Sequence, residues 1–193
     1  VSRGLGDVYK RQTEGCAPFN ASLLLDATAT TNAIWNLNGE IFTGDSMNAT
    51  LAGSTGTNAE HTIGLEVISE FGCVDSTDIE VTVHPVPALS LSTSTSASCS
   101  DEMWLIFNDT QFADSSAITF SDGSEFINPT DSIVMNMVND NPDDMIVEMT
   151  LTAFTNFGCS AASGLAHIVH PNVTADFTSP EACLLYTSDA ADD

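Results

Sequence analysis

The chain has 193 residues, with 3 Lys+Arg against 27 Asp+Glu and a formal charge of -24. So acidic a balance argues against nucleic acid or anionic membrane as a partner, since both need Lys/Arg to neutralise phosphate. Apolar residues make up 42%, enough for packed cores, and no run is long and apolar enough to insert into a membrane as a helix.

All three basic residues, Arg3, Lys10 and Arg11, lie within residues 1–12. Residues Asp7 to Gln12 can be written GAT GTG TAT AAG AGA CAG. The reverse complement, read one base in, encodes Cys-Leu-Leu-Tyr-Thr-Ser, which is Cys183 to Ser188. Two natural termini have no physical reason to be reverse complements, whereas a tagged DNA fragment does. Residues 1–12 and 183–193 therefore resemble translated sequencing adapters and are set aside from fold reasoning. The expectation is a natural segment of residues 13–182, cut from a longer protein, with no positively charged Lys or Arg side chain and a net charge of about -23 once Asp7, Asp189, Asp192 and Asp193 are removed.

An internal repeat organises the remainder. Phe71-Gly72-Cys73 recurs as Phe157-Gly158-Cys159, and Val83-His84-Pro85 as Val169-His170-Pro171, both 86 positions on. Upstream, Cys16 matches Cys99 at 83 positions, and Ala33-Ile34 is matched with Ala117-Ile118 at 84. The copies span residues 13–86 and 87–172, and residues 173–182 read as the start of a third. Pro85-Val86-Pro87 predicts a stiff connection, because proline fixes φ and restrains its predecessor.

Along each copy the period is two. In the first, residues 62–69 place Ile63, Leu65 and Ile68 among polar positions, and residues 78–84 alternate with Ile79, Val81 and Val83 on one face. In the second, residues 132–138 put Ile133, Met135 and Met137 on one face, and residues 145–154 alternate throughout. Asn38-Gly39 and Asp122-Gly123 suit hairpin turns that need positive φ. Short alternating runs without a helical period predict an all-β fold of two tandem antiparallel β-sandwiches.

Four cysteines lie in the repeats, and they allow three pairings. The repeat makes Cys16–Cys73 and Cys99–Cys159 the economical expectation, with free buried thiols in a cytosolic protein as the alternative. Bridges would imply an oxidising compartment, and loops of this length would contribute roughly 4 kcal/mol each in the chain-entropy model.

The repeat resembles the PKD-like domain, an immunoglobulin-like sandwich of secreted bacterial proteins. The residues that carry the resemblance are Gly15-Cys16-Ala17-Pro18, Ile34-Trp35-Asn36-Leu37-Asn38-Gly39 and Gly72-Cys73 in the first copy. In the second they are Cys99, Phe107-Asn108-Asp109, Ile118-Thr119-Phe120-Ser121-Asp122-Gly123 and Gly158-Cys159. The second copy departs from the pattern: it lacks the opening G-C-x-P, and its tryptophan falls at Trp104. The resemblance implies an extracellular or cell-surface location and a non-catalytic spacer or adhesion role. The partners it implies are neighbouring repeats and an extracellular glycan or protein. An alternative is an accessory module of a secreted polysaccharide- or protein-degrading enzyme. By the immunoglobulin analogy, Trp35 is expected to pack across its sandwich near the bridge.

A search for chemistry yields little. His84 and His170 occupy the same repeat position beside the linker proline, which suggests a joint rather than catalysis. His167 and His170 are three apart on a strand and point to opposite faces, so they cannot share a metal. No G-x-S-x-G, H-E-x-x-H or P-loop motif occurs, so no catalytic residue and no organic cofactor is expected. Residues 139–144 concentrate hard oxygen donors, which makes Asp140, Asp143 and Asp144 candidate Ca²⁺ ligands, against the plainer reading of a solvated acidic turn.

Ordinary Lys–Asp and Arg–Glu salt bridges are impossible within residues 13–182, so carboxylate repulsion is relieved mainly by salt. The melting temperature is expected to rise from low salt to seawater-like salt in a calorimetric scan. An unchanged value would contradict this.

Overall fold

The computed structural model describes residues 7–9, 13–26, 30–129 and 132–178, and contains no helix among them. The first sandwich is built from β1 (Asp7–Tyr9), β2 (Glu14–Cys16), β3 (Phe19–Asp26), β4 (Thr30–Leu37), β5 (Glu40–Thr43), β6 (Ser46–Leu51), β7 (Ala59–Ser69) and β8 (Val74–His84). The second comprises β9 (Leu91–Thr93), β10 (Ala97–Cys99), β11 (Met103–Asn108), β12 (Ser115–Phe120), β13 (Glu125–Ile127), β14 (Ser132–Asn136), β15 (Met145–Phe154) and β16 (Ser160–His170). Each packs a three-stranded sheet, β1-β3-β6 or β9-β11-β14, against a five-stranded one, β2-β8-β7-β4-β5 or β10-β16-β15-β12-β13. This is the all-β architecture of two tandem β-sandwiches that the period of two predicts, and it has the immunoglobulin-like form that the resemblance implies.

The copies superpose strand for strand. Ile63 faces Ile79 across β7–β8, and Met149 faces Leu165 across β15–β16, both pairs 86 apart. Within each sandwich the other pairings are antiparallel, but the second strand, β2 or β10, runs parallel to the last: Cys16 lies beside His84, and Cys99 beside His170. Strand β1 falls in the adapter-like segment, and pairs Val8 with Leu25 at the edge where the second sandwich pairs Leu91 with Asn108. Edge pairing is made by backbone groups and tolerates varied sequence. The rest of residues 1–12, and residues 183–193, lie outside the described residues. So does part of the expected third copy, whose residues 173–178 carry no regular structure.

Burial corrects two sequence expectations. On β7 the inward residues are Ile63, Leu65 and Val67, while Ile68 faces outward: strict alternation prevails over hydrophobicity. The match of Ala33-Ile34 with Ala117-Ile118 is one residue out of step. Trp35 pairs with Leu65 as Ile118 pairs with Leu151, so the true offset there is 83, the same as between the leading cysteines. A one-residue slip turns every side chain to the other face. Accordingly Ile118 is fully buried, whereas Ile34 is not part of the core. The two hairpins also differ. Asn38 (φ 53) and Gly39 (φ 90) form a two-residue loop between Leu37 and Glu40. The second loop holds three residues between Phe120 and Ser124, with only Gly123 at positive φ (86).

The corrected register exposes an exchange inside the cores. Position for position, Ala21 and Trp35 of the first sandwich become Trp104 and Ile118 of the second. Each core therefore holds one buried tryptophan, but it rises from opposite sheets, β4 in one and β11 in the other. The other position of each pair holds a smaller side chain, Ala21 in the first core and Ile118 in the second, so each core accommodates a single indole. Trp35 also donates its indole N–H to the Gly44 carbonyl at 2.9 Å, whereas the buried Trp104 Nε1 has no partner.

Trp35→Ile and Ala21→Trp should each destabilise the first sandwich, by about 1–4 kcal/mol through cavity and overpacking respectively. Combined, they should cost less than the sum of the two, measured by denaturant unfolding as a double-mutant cycle. Strict additivity would refute the exchange.

Candidate functional site

The most structured feature outside the cores is the joint between the sandwiches. Strand β8 ends at His84 and leads into Pro85-Val86-Pro87. At this end of the first sandwich the parallel β2 brings Cys16 beside His84, and the Ala17 N–H donates to the His84 carbonyl at 2.9 Å. The turn between β15 and β16 of the second sandwich faces this pair. Thr155 N–H donates to the Cys159 carbonyl at 2.8 Å, Gly158 N–H to the Thr155 carbonyl at 3.0 Å, and Cys159 N–H to Thr155 Oγ1 at 3.2 Å. Gly158 sits at φ 80, a conformation open to glycine. Asp114 Oδ2 accepts from the Asn156 N–H at 2.6 Å and fixes the turn from the side.

Two contacts cross the joint there. Cys16 is disulfide-bonded to Cys159, with Cα atoms 5.5 Å apart. Phe157 stacks on His84, ring centroids 4.3 Å apart and planes 8° from parallel. His84 is held by Asn58 Oδ1 at 3.0 Å from its Nδ1, with Glu14 Oε2 3.6 Å from its Nε2. A third contact sets Gly56 (φ 73) against the ring of Phe112, where any Cβ would collide with the ring. Together they turn a two-proline linker into a covalent, stacked joint.

The expected pairings Cys16–Cys73 and Cys99–Cys159 are therefore incorrect, and strand length explains why. Cys73 lies at the β7–β8 turn, and Cys16 lies beside His84 at the far end of the 11-residue β8. A strand of that length spans about 35 Å, while bridged cysteines need Cα atoms within about 7 Å. The same holds for Cys99 and Cys159 across the 11-residue β16. Cys73 and Cys99 are instead exposed free thiols. Trp35 is buried as expected, but no bridge lies within its sandwich.

The acidic loop is built around Asn139. Buried Asn139 donates through Nδ2 to the carbonyls of Asp143 and Val169, both at 2.8 Å, and its Oδ1 accepts the Asn141 N–H at 3.0 Å. Asp144 is committed to His170 Nδ1 at 2.7 Å. Among the described residues no three His, Cys, Asp or Glu side chains come together to hold a metal ion, so Asp140, Asp143 and Asp144 do not form such a group. The loop is an asparagine-centred plug.

His167, by contrast, is a core residue at the position of Val81. It stacks on Trp104 at 3.8 Å, with Ser98 Oγ and the Thr95 carbonyl each 3.0 Å from a ring nitrogen. Burial holds its pKa below the ordinary 6.5, opposed in part by the Thr95 carbonyl. His170 points outward, as the strand period requires. Sequence reading missed Phe157, Phe112, Gly56 and Asn58 as joint residues, although the repeated Phe-Gly-Cys was itself visible.

No family model matches the chain, and no curated protein matches it. Among solved structures, it is similar to the fibronectin(III)-like modules of Clostridium thermocellum CbhA (10% identity, 90% of this chain and 100% of that one, TM-score 0.38). It is similar also to a Ca²⁺-stabilized adhesin with which an Antarctic bacterium binds ice (14%, 90% and 51%, TM-score 0.42). A third is Bacteroides ovatus SGBP-B, of a mixed-linkage glucan utilization locus, in complex with a heptasaccharide (14%, 82% and 43%, TM-score 0.32).

Because His167 is held neutral, protonation favours the unfolded chain. Its contribution is complete above pH 6.5 and is lost as pH falls below that value toward the depressed folded pKa. The melting temperature of the second sandwich should drop through this window, and His167→Val, the residue used in the first copy, should flatten the drop. An equal drop in the variant would rule His167 out as its source.

Proposed function

We propose that the chain is a non-catalytic spacer or adhesion segment of an extracellular bacterial surface or secreted protein. In this reading residues 13–86 and 87–172 are PKD-like repeats that hold a protein- or glycan-binding element away from its anchor. The observation that carries it is the disulfide placed across the joint and not inside a domain. A bridge between Cys16 and Cys159 constrains 143 positions of chain. It needs an oxidising compartment, and it fixes how one module sits on the next.

The bridge also changes how tension passes. Load applied at the two ends enters at Cys16, crosses the sulfur–sulfur bond to Cys159, and leaves along β16. Residues 17–158, which contain nearly all of both cores, lie off that path. A connector that must stay short under shear gains from such a bypass, because residues 17–158 cannot lengthen while the bond is intact.

Single-molecule pulling on the full chain tests this reading. The oxidised protein should show no extension from residues 17–158, whereas Cys16→Ser should release two events of about 25 nm each, as expected for some 80 residues at 3.3–3.6 Å apiece. Two such events in the oxidised wild type would overturn the braced-spacer reading.

A further inference from the structure

The Phe-Gly-Cys turn and the Cys–His face of the joint are each present twice, but only one set is engaged. The Phe-Gly-Cys turn of the first sandwich repeats that of the second: Ser69 N–H donates to the Cys73 carbonyl at 2.9 Å, Gly72 N–H to the Ser69 carbonyl at 3.0 Å, and Cys73 N–H to Ser69 Oγ at 3.1 Å. Gly72 has φ 77 against 80 for Gly158. Yet Cys73 is a free thiol, and Phe71 is 83% exposed, where its counterpart Phe157 is 48% exposed and stacked.

The receiving half is repeated too. Cys99 lies beside His170 in a parallel pairing, and Ser100 N–H donates to the His170 carbonyl at 2.8 Å, as Ala17 does to His84. Asp144 orients His170 through Nδ1 at 2.7 Å, from the position where Asn58 orients His84. Cys99 is free and exposed. The two unused halves lie at opposite ends of the pair of sandwiches, since each turn faces back along the array and each Cys–His pair faces forward.

We propose that these are docking faces for further modules of the same kind, sealed by the same disulfide. The Cys99/His170 face takes a Phe-Gly-Cys turn, and the Phe71/Cys73 turn takes a Cys–His face. A second copy of this chain carries both halves and can join head to tail through Cys73–Cys99. The inference rests on the joint serving as a connector of modules. In a longer array each bridge would span from one module's leading cysteine to the next module's turn, so successive bridges would overlap.

The bond forms by thiol–disulfide exchange with a low-molecular-weight disulfide. One protein thiolate attacks it and releases a small thiol, and the second protein thiolate then displaces the other. Two protein thiols and one small disulfide become one protein disulfide and two small thiols. The Phe–His stack and the preformed turn supply the alignment that makes Cys73–Cys99 faster than either like pairing.

The test uses the full chain in oxidised glutathione, with Cys183→Ser in every sample to remove the fifth cysteine of the sequence. Peptide mapping follows the products, and the Cys16–Cys159 bond serves as the folding control. Cys73→Ser alone and Cys99→Ser alone should stay monomeric, and an equimolar mixture should give one heterodimer joined through Cys99 of the first and Cys73 of the second. The unmutated pair should form a ladder, slowed several-fold by Phe71→Ala or His170→Ala. Single variants that dimerise as readily as the mixture, a mixture that fails to couple, or a rate indifferent to Phe71 and His170 would overturn the proposal. None of these failures would alter the pulling result, which depends on Cys16 and Cys159 alone.

Discussion

The contact on which the rest depends is the one between the first sandwich's leading cysteine and the second sandwich's last turn. Cys16–Cys159 and the His84–Phe157 stack form a matched pair, one covalent and one aromatic, on adjacent strands of one module and a single tight turn of the other. The parallel placement of β2 against β8 is what makes the pair possible, because it carries a residue from the start of a module to its far end. The disulfide fixes orientation, and it makes the joint the strongest point of the chain instead of the weakest.

The cores are free to vary because the joint does not draw on them. The tryptophan moves from β4 to β11 between copies, and a buried histidine takes the place of Val81, while the hydrogen bonds of the turn and of the Cys–His face are kept atom for atom. A volume exchange across a sandwich is tolerated if total packing is preserved. A turn that must present a sulfur and a ring to a neighbour has far less latitude. The contrast is consistent with interface geometry, more than core identity, being what defines a repeat of this kind.

Much of this was legible in the sequence, and the failures have specific causes. Alternation over Ile79, Val81 and Val83 identified β8 because a half-buried strand must show it. It left Val67 unmentioned on β7, where that residue and not Ile68 holds the inward position. The 84-position match of Ala33-Ile34 aligned letters across an indel and so reversed inside and outside. The cysteine pairing failed for a deeper reason. Repeat economy favours bonds within a copy, and nothing in the spacing reveals that β2 runs parallel to β8. Once that pairing is known, the length of β8 excludes Cys16–Cys73 by distance alone. The Phe-Gly-Cys repeat was visible as a marker of duplication, but its role as a contact needs the neighbour's histidine in place. The density of oxygen donors in the acidic loop was visible in the sequence, but the role of Asn139, which ties the loop to Val169, was not.

Disulfide mapping under non-reducing conditions tests the central claim most directly. Residues 13–193 contain no Lys or Arg, so trypsin cannot separate the cysteines, and cleavage at Asp and Glu is required. The joint described above predicts a linked peptide pair containing Cys16 and Cys159, with Cys73 and Cys99 alkylated as free thiols in the monomer. A linked pair containing Cys16 and Cys73 would place the bridge inside one sandwich and contradict it.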